Sequence, residues 1–250
     1  MKEITKEKLK IKIFETRALM GEAAAEEVSE KISAVLREKP EVNIIFAAAP
    51  SQNEFLAALK GKNLEWNRIN AFHMDEYVGL ERNAPQGFGN FLKERLFDKV
   101  PFRAVHYLDG NNNTEVECRR YTELLEKYPT DIVILGIGEN THLAFNDPHV
   151  ADFNDPKTVK VVDMDEKCRA QQLNDDCFKK LEEVPTHALT ITIPALFKVP
   201  YAYAIAPGHL KADAIYHTLN NEIEEKYPST ILRRHPNAVL FIDNNSAAKI

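Results

Sequence analysis

The sequence predicts an α/β protein: a mostly parallel sheet with helices on both faces, in a Rossmann-like three-layer αβα arrangement. Short, continuously apolar runs such as "NIIF", "VILG" and "YAYAIA" read as strands buried on both faces. Segments with apolar residues at helical spacing alternate with them. No repeat, low-complexity tract or Pro/Gly/Ser linker interrupts the 250 residues, so residues 1–250 are read as one domain.

In chain order, "ALMGEAAAEEVSEKISAVLREK" (residues 18–39) carries its apolar residues at helical spacing, and "NIIFAAAP" (43–50) is a short buried strand. "SQNEFLAALKG" (51–61) reads as a helix with Ser51 as N-cap and Gly61 at its end. "NRINAFHM" (67–74) is a second strand. "GFGNFLKERLFDKV" (87–100) and "NTEVECRRYTELLEKY" (113–128) are amphipathic helices on either side of the short strand "AVHYLD" (104–109). "DIVILGIG" (131–138) is a third strong strand, and "VKVVDM", "ALTITI", "YAYAIAP" and "AVLFID" supply later ones. The helix "HLKADAIYHTLNN" (209–221) leaves "YAYAIAP". In open parallel sheets ligands bind beyond the carboxyl ends of the strands, which directs attention to the residues just past each apolar run.

Composition narrows the partners. A net charge of −6 with scattered basic residues predicts no nucleic-acid partner. No apolar run approaches the roughly 20 residues that span a bilayer, so no membrane partner is expected either. The opening "MKEITKEKLKIKIFET" lacks the apolar centre of a secretory signal. Cys118, Cys168 and Cys177 are odd in number and lack CxxC spacing, which points to free thiols and a cytoplasmic location. A homo-oligomer is compatible with the sequence.

Four polar clusters fall behind four strands. "FHMDEYVGL" sets Asp75 and Glu76 side by side; adjacent carboxylates can raise one another's pKa and make a general base, or simply decorate a helix start. "GIGENTHLAFNDP" joins Gly136 and Gly138 to His142, with Asp147 as a candidate orienting acid; the alternative is a capped helix start with a structural histidine. "APGHLKADA" places Gly208 and Lys211 where they could hold a phosphate. "AAAPSQNE" offers Ser51, Gln52 and Asn53 as an anion site or a cap. No metal is expected, because His142, Asp147 and His149 match no common zinc spacing. No cofactor is expected, because "GIGENT" lacks the third glycine of a dinucleotide fingerprint. Together the clusters suggest a small anionic substrate and proton-transfer chemistry.

At these residues the chain resembles the glucosamine-6-phosphate deaminase/isomerase family, which shares its fold with the 6-phosphogluconolactonases. "MDEYVGL", "LDGN…ECRRYTELL", "GIGENTHLAFNDP" and "PGHLKA" carry the resemblance, which covers most of the chain. It implies an enzyme that opens the ring of a hexosamine 6-phosphate, moves a proton between C2 and C1, and releases ammonia. Asp75 would be the proton shuttle and His142 the ring opener. Asp147 would orient His142, and Lys211 would meet the phosphate. Ser51, Gln52, Glu76 and Gly138 would contact substrate. The departures are Asn140 where the family has an aspartate, Thr141 where it has glycine, and "AAPS" where it has a glycine-rich loop whose N–H groups Pro50 cannot match. The family's phosphate-binding arginine has no counterpart in "AQQLNDD", with Arg169 only at an upstream position. Ser229, Arg233, Arg234 and His235 are candidate substitutes, or else form an ordinary polar turn before the last strand. These changes suggest altered specificity, with galactosamine 6-phosphate as one candidate. A lactonase-type hydrolase and a non-catalytic sugar-phosphate sensor are the alternatives.

Overall fold

The computed structural model describes residues 1–174 and 177–250. The chain opens with a hairpin, β1 (Lys2–Lys6) and β2 (Leu9–Phe14), followed by α1 (Arg17–Glu38). Next come β3 (Val42–Phe46), α2 (Asn53–Lys60), β4 (Ile69–His73), β5 (Asp75–Tyr77), the short α3 (Phe88–Leu92), β6 (Ala104–His106) and α4 (Thr114–Lys127). After β7 (Ile132–Leu135) the order is β8 (Val159–Asp163), α5 (Glu166–Asn174), β9 (His187–Ile191) and α6 (Ile193–Phe197). β10 (Tyr201–Ile205), α7 (Ala212–Asn220) and β11 (Ala238–Asp243) complete the described elements.

The apolar runs become the central strands because each can be buried on both faces. Ile44 and Phe46 of β3 enter one core while Ile45 enters the other. Likewise Ile132 and Ile134 of β7 face opposite to Val133 and Leu135. Helices α1, α2 and α3 cover the first face through residues such as Val28, Phe55 and Phe91. The second face is covered by α4, α6 and α7 through Tyr121, Leu196 and Ile215. The result is an eight-stranded sheet in the order β1-β2-β11-β10-β7-β3-β4-β6. Every pairing in it is parallel except the β1–β2 hairpin at the edge.

Three local expectations are corrected. "VKVVDM" and "ALTITI" do not join the central sheet; as β8 and β9 they pair antiparallel with β5 in a separate three-stranded sheet. Residues 87–100 are not one regular helix: α3 gives way to a wide turn at Lys93–Phe97, where the Asp98 amide reaches back to Lys93 O at 3.1 Å. Ser51 is not a cap. It lies in a 3-10 turn, Pro50–Gln52, and Gln52 occupies the N-cap position of α2 with no side-chain cap bond.

Candidate active site

Four strand ends meet at one cavity of about 650 Å³. Ala47 to Ser51 follow β3, Met74 and Asp75 follow β4, Gly136 to Gly138 follow β7, and Lys211 follows β10. His142, Phe88, Phe145 and Gln171 complete the wall nearest these groups.

Asp75 owes its position to a strand that changes sheets. β4 ends at His73, Met74 breaks the run, and Asp75 starts β5 with Thr190 of β9 as its antiparallel partner. The side chain lines the cavity at 6% exposure, and its carboxyl takes no hydrogen bond from any described residue. Burial first, then the neighbouring Glu76 charge, push its pKa well above the usual carboxylate range. Strand alternation turns Glu76 the other way, so the expected substrate contact of Glu76 is corrected. Its oxygens accept the amides of Tyr77, Phe88 and Gly89 at 2.9, 3.1 and 2.8 Å, which fastens the start of α3. Burial pushes the Glu76 carboxyl up to about 7, against the pull of those three donors.

The loop after β7 folds back on itself. Gly138 donates its amide to His142 O, Thr141 donates to Gly138 O, and Ser229 donates to Thr141 O. Thr141 stands in the left-handed region at φ 72°, where glycine would sit without strain. The imidazole of His142 lies directly over Gly138. A Cβ at 138 would come within 2.2 Å of the ring, so only glycine fits beneath it. Nδ1 of His142 is 2.7 Å from Asn140 Oδ1 and 3.0 Å from Asp147 Oδ1, while Nε2 makes no bond to a described residue.

Asn140 joins two carboxylates. Its Nδ2 donates to Asp147 Oδ1 and to Asp165 Oδ2, each at 3.1 Å, while its Oδ1 accepts from His142. Asp147 is fully buried. Burial alone would raise its pKa, but bonds from His142 and Asn140 and the Asp165 amide hold it below the ordinary value. Sequence reasoning missed Asn146 as a positioning residue. Its side-chain amide donates to Leu143 O at 2.8 Å and Ile191 O at 2.9 Å, pinning the loop to β9. Its equally missed partner Thr190 accepts the Phe145 amide at 3.1 Å.

On the opposite wall, Gln52 does not line the cavity, which corrects its expected substrate contact. Its Nε2 donates to Ser51 Oγ at 3.0 Å and to Ile205 O at 3.1 Å, so it holds Ser51 in place from below. Arg17 fixes the same turn from outside, pairing with Glu54 and donating to Pro50 O at 3.2 Å. Lys211 is 6% exposed and follows Gly208, whose φ of 95° requires glycine and whose amide bonds Asp243 Oδ1. The run 233–235 supplies no contact to this cavity. Arg233 donates to Leu219 O and Asn221 O, and His235 Nε2 meets Val199 O. Of "AQQLNDD", residues 175 and 176 lie outside the described residues.

Among the described residues, two groups could offer a cation three ligand atoms within 4.8 Å of one another: His142, Asp147 and Cys168, and Asp147, His149 and Asp165. In the first, His142 and Asp147 are already bonded to each other. In the second, His149 Nε2 is 2.9 Å from Asp163. Neither reproduces the trio of His142, Asp147 and His149 considered from spacing.

Fold and site together define an open-sheet α/β protein in which an acid, an imidazole and a lysine converge on a pocket beyond the strand ends. Residues 15–241 match the family described as glucosamine-6-phosphate isomerases/6-phosphogluconolactonase. The chain belongs to that family. It is 34% identical over 226 residues to a glucosamine-6-phosphate deaminase of Bacillus cereus, spanning 90% of this chain and 84% of that protein. A Bacillus cytotoxicus glucosamine-6-phosphate deaminase matches to the same extent, 34% over 226 residues. Among solved structures, a monomeric glucosamine-6-phosphate deaminase superposes with TM-score 0.87 at 27% identity, over 96% of this chain and 99% of that one. A 6-phosphogluconolactonase from Thermotoga maritima shares the fold, with TM-score 0.76 at 22% identity over 93% and 98% of the two chains. No described helix is long and apolar enough to cross a membrane.

Proposed function

We propose that the protein converts a hexosamine 6-phosphate and water to a ketose 6-phosphate and ammonia. The observation that carries the proposal is Asp75: a cavity-facing carboxyl without a hydrogen bond to any described residue, sharing its pocket with His142 and Lys211. A carboxylate tuned by burial rather than by donors is a stronger base than an exposed one, and a positioned base contributes ~10²–10⁴-fold to proton transfer.

His142, its Nδ1 held by Asn140 and Asp147, turns Nε2 to the sugar and moves the proton between ring oxygen and anomeric hydroxyl as the ring opens. Asp75 takes the proton from C2 of the open chain while the aldehyde oxygen O1 takes up the proton that the C2 ammonium gives up, forming an enolamine. Asp75 then delivers its proton to C1, so that C1 becomes a hydroxymethyl carbon and C2 an iminium carbon. Water adds to C2, the C–N bond breaks, and ammonia leaves with the proton that the amine gains. Lys211 and Ser51 anchor the phosphate so that C2 lies beside Asp75, since rates of this kind depend on holding reacting atoms close. Asn140 takes an orienting role: as an amide it cannot relay a proton, but it can bond His142 and two carboxylates at once.

Glucosamine 6-phosphate is the first substrate to assay, on the strength of the 34% identity to deaminases named for it. Galactosamine 6-phosphate belongs in the same experiment. Ammonia and ketose phosphate should both appear, together with solvent deuterium at C1 of the product. Absence of ammonia from both sugars would sink the proposal, and lactone hydrolysis surviving Asp75→Asn would point to the hydrolase instead.

A further inference from the structure

Resting on that reading, we propose that Arg95 is the second cation of the phosphate subsite and takes a phosphate monoester dianion together with Lys211 and Ser51.

The turn at the end of β3 is a poor anion cradle by itself. Pro50 has no N–H to give. The Gln52 amide is spent on Ala49 O at 2.9 Å and the Asn53 amide on Pro50 O. Within residues 50–53 that leaves the Ser51 amide and hydroxyl. A dianion placed there needs positive charge from elsewhere, because two neutral donors do not offset the cost of removing it from water.

Arg95 lines the same cavity as Ser51 and Lys211. Its Nε donates to Asn53 Oδ1 at 2.8 Å, which fixes the guanidinium beside the first residue of α2, two positions past Ser51. The plane lies 3.8 Å from the Phe91 ring centroid, so the fork is held before any ligand arrives. Nη1 meets Glu94, which is 72% exposed and therefore a weak competitor, and Nη2 bonds no described residue. Two other arginines are committed elsewhere. Arg233 donates to Leu219 O and Asn221 O, and Arg169 donates to Leu181 O and Val184 O. The wide turn at Lys93–Phe97 is the feature that carries Arg95 to this position.

The test uses inorganic phosphate as the probe, so that it does not depend on turnover. Calorimetric titration of the full chain should show binding that weakens ~10–100-fold in Arg95→Gln, with Arg95→Lys in between because it keeps the charge and loses the fork. Under turnover, Arg95→Gln should raise KM for the hexosamine 6-phosphate by a similar factor with kcat changed far less. Equal phosphate affinity in wild type and Arg95→Gln, or no phosphate binding by the folded wild type, would overturn the assignment. A phosphate-binding defect in Arg95→Gln alongside a wild type that turns over no hexosamine phosphate would uphold Arg95 and reject the proposed reaction. Thermal melts establish that the variants fold. If Arg95→Gln does not, the comparison passes to Arg95→Lys, where unchanged affinity and unchanged KM overturn the assignment equally.

Discussion

Asp75 and His142 face the same cavity but are held in opposite ways. Asp75 has its strand and almost nothing else: no described residue donates to its carboxyl, and burial, with the Glu76 charge second, sets its proton affinity. His142 sits in a web of Asn140, Asp147, Asp165 and the Gly138 backbone, where partners rather than burial fix the ring. A group with no partners can change charge during a reaction without breaking bonds. One with many partners keeps its orientation while protons pass. The difference predicts that the two regions respond differently to substitution, activity alone at the first, activity and stability together at the second.

The largest effect is expected at Asp75. Asp75→Asn should lower kcat by ~10²–10⁴-fold while the melting temperature at neutral pH holds or rises, because a buried carboxyl that resists ionisation is replaced by a neutral isostere. A fall in stability with activity retained would break the contrast. Next is Gly138→Ala. Its Cβ displaces the imidazole, and misplacement of about 1 Å costs on the order of 10²-fold in kcat. Asn140→Asp is the sharper probe. Restoring the family's acid puts a third carboxylate against Asp147 and Asp165, so the change should cost about 1–3 kcal/mol by chemical denaturation instead of improving the enzyme. Adding Asp165→Asn should recover part of that loss. The smallest effect concerns Glu76, whose pKa rises from 4.5 to about 7 on folding. The folded state therefore holds this proton more tightly than the unfolded one. Its contribution to stability is full below pH 4.5 and is lost as pH climbs to about 7. Glu76→Gln should flatten the stability profile across that window, measured as the change in slope rather than the absolute value.

The central strands were legible because apolar runs buried on both faces leave no other reading, and the clusters behind them were legible because the carboxyl ends of such strands are where open sheets bind ligands. The hairpin is not evident from its sequence. Leu9, Ile11 and Ile13 do alternate inward, but Lys10 and Lys12 between them, and the lysines of β1, read as a charged tail. Those charges are what an edge strand carries to discourage pairing with other chains. β8 falls in a different sheet from the one expected for a related reason. Its exposed Val161 and Asp163 between buried residues mark one covered face, the habit of an antiparallel sheet rather than of a central parallel strand. Glu76 resembles a site residue because adjacency in sequence suggests a shared pocket, whereas adjacency in a strand guarantees opposite faces. Arg95 could not be found at all from the chain, since its partner Asn53 lies 42 residues away.

Thr190 has a consequence for how the site tolerates change. It pairs with Asp75 in the small sheet, and its hydroxyl holds the loop that bears His142. The Asp75 carboxyl and the His142 imidazole thus share β9 as a support. A change at Thr190 is therefore expected to disturb both groups together. The shortest link between the two groups runs through that one threonine, over a few bonds, rather than across the large sheet.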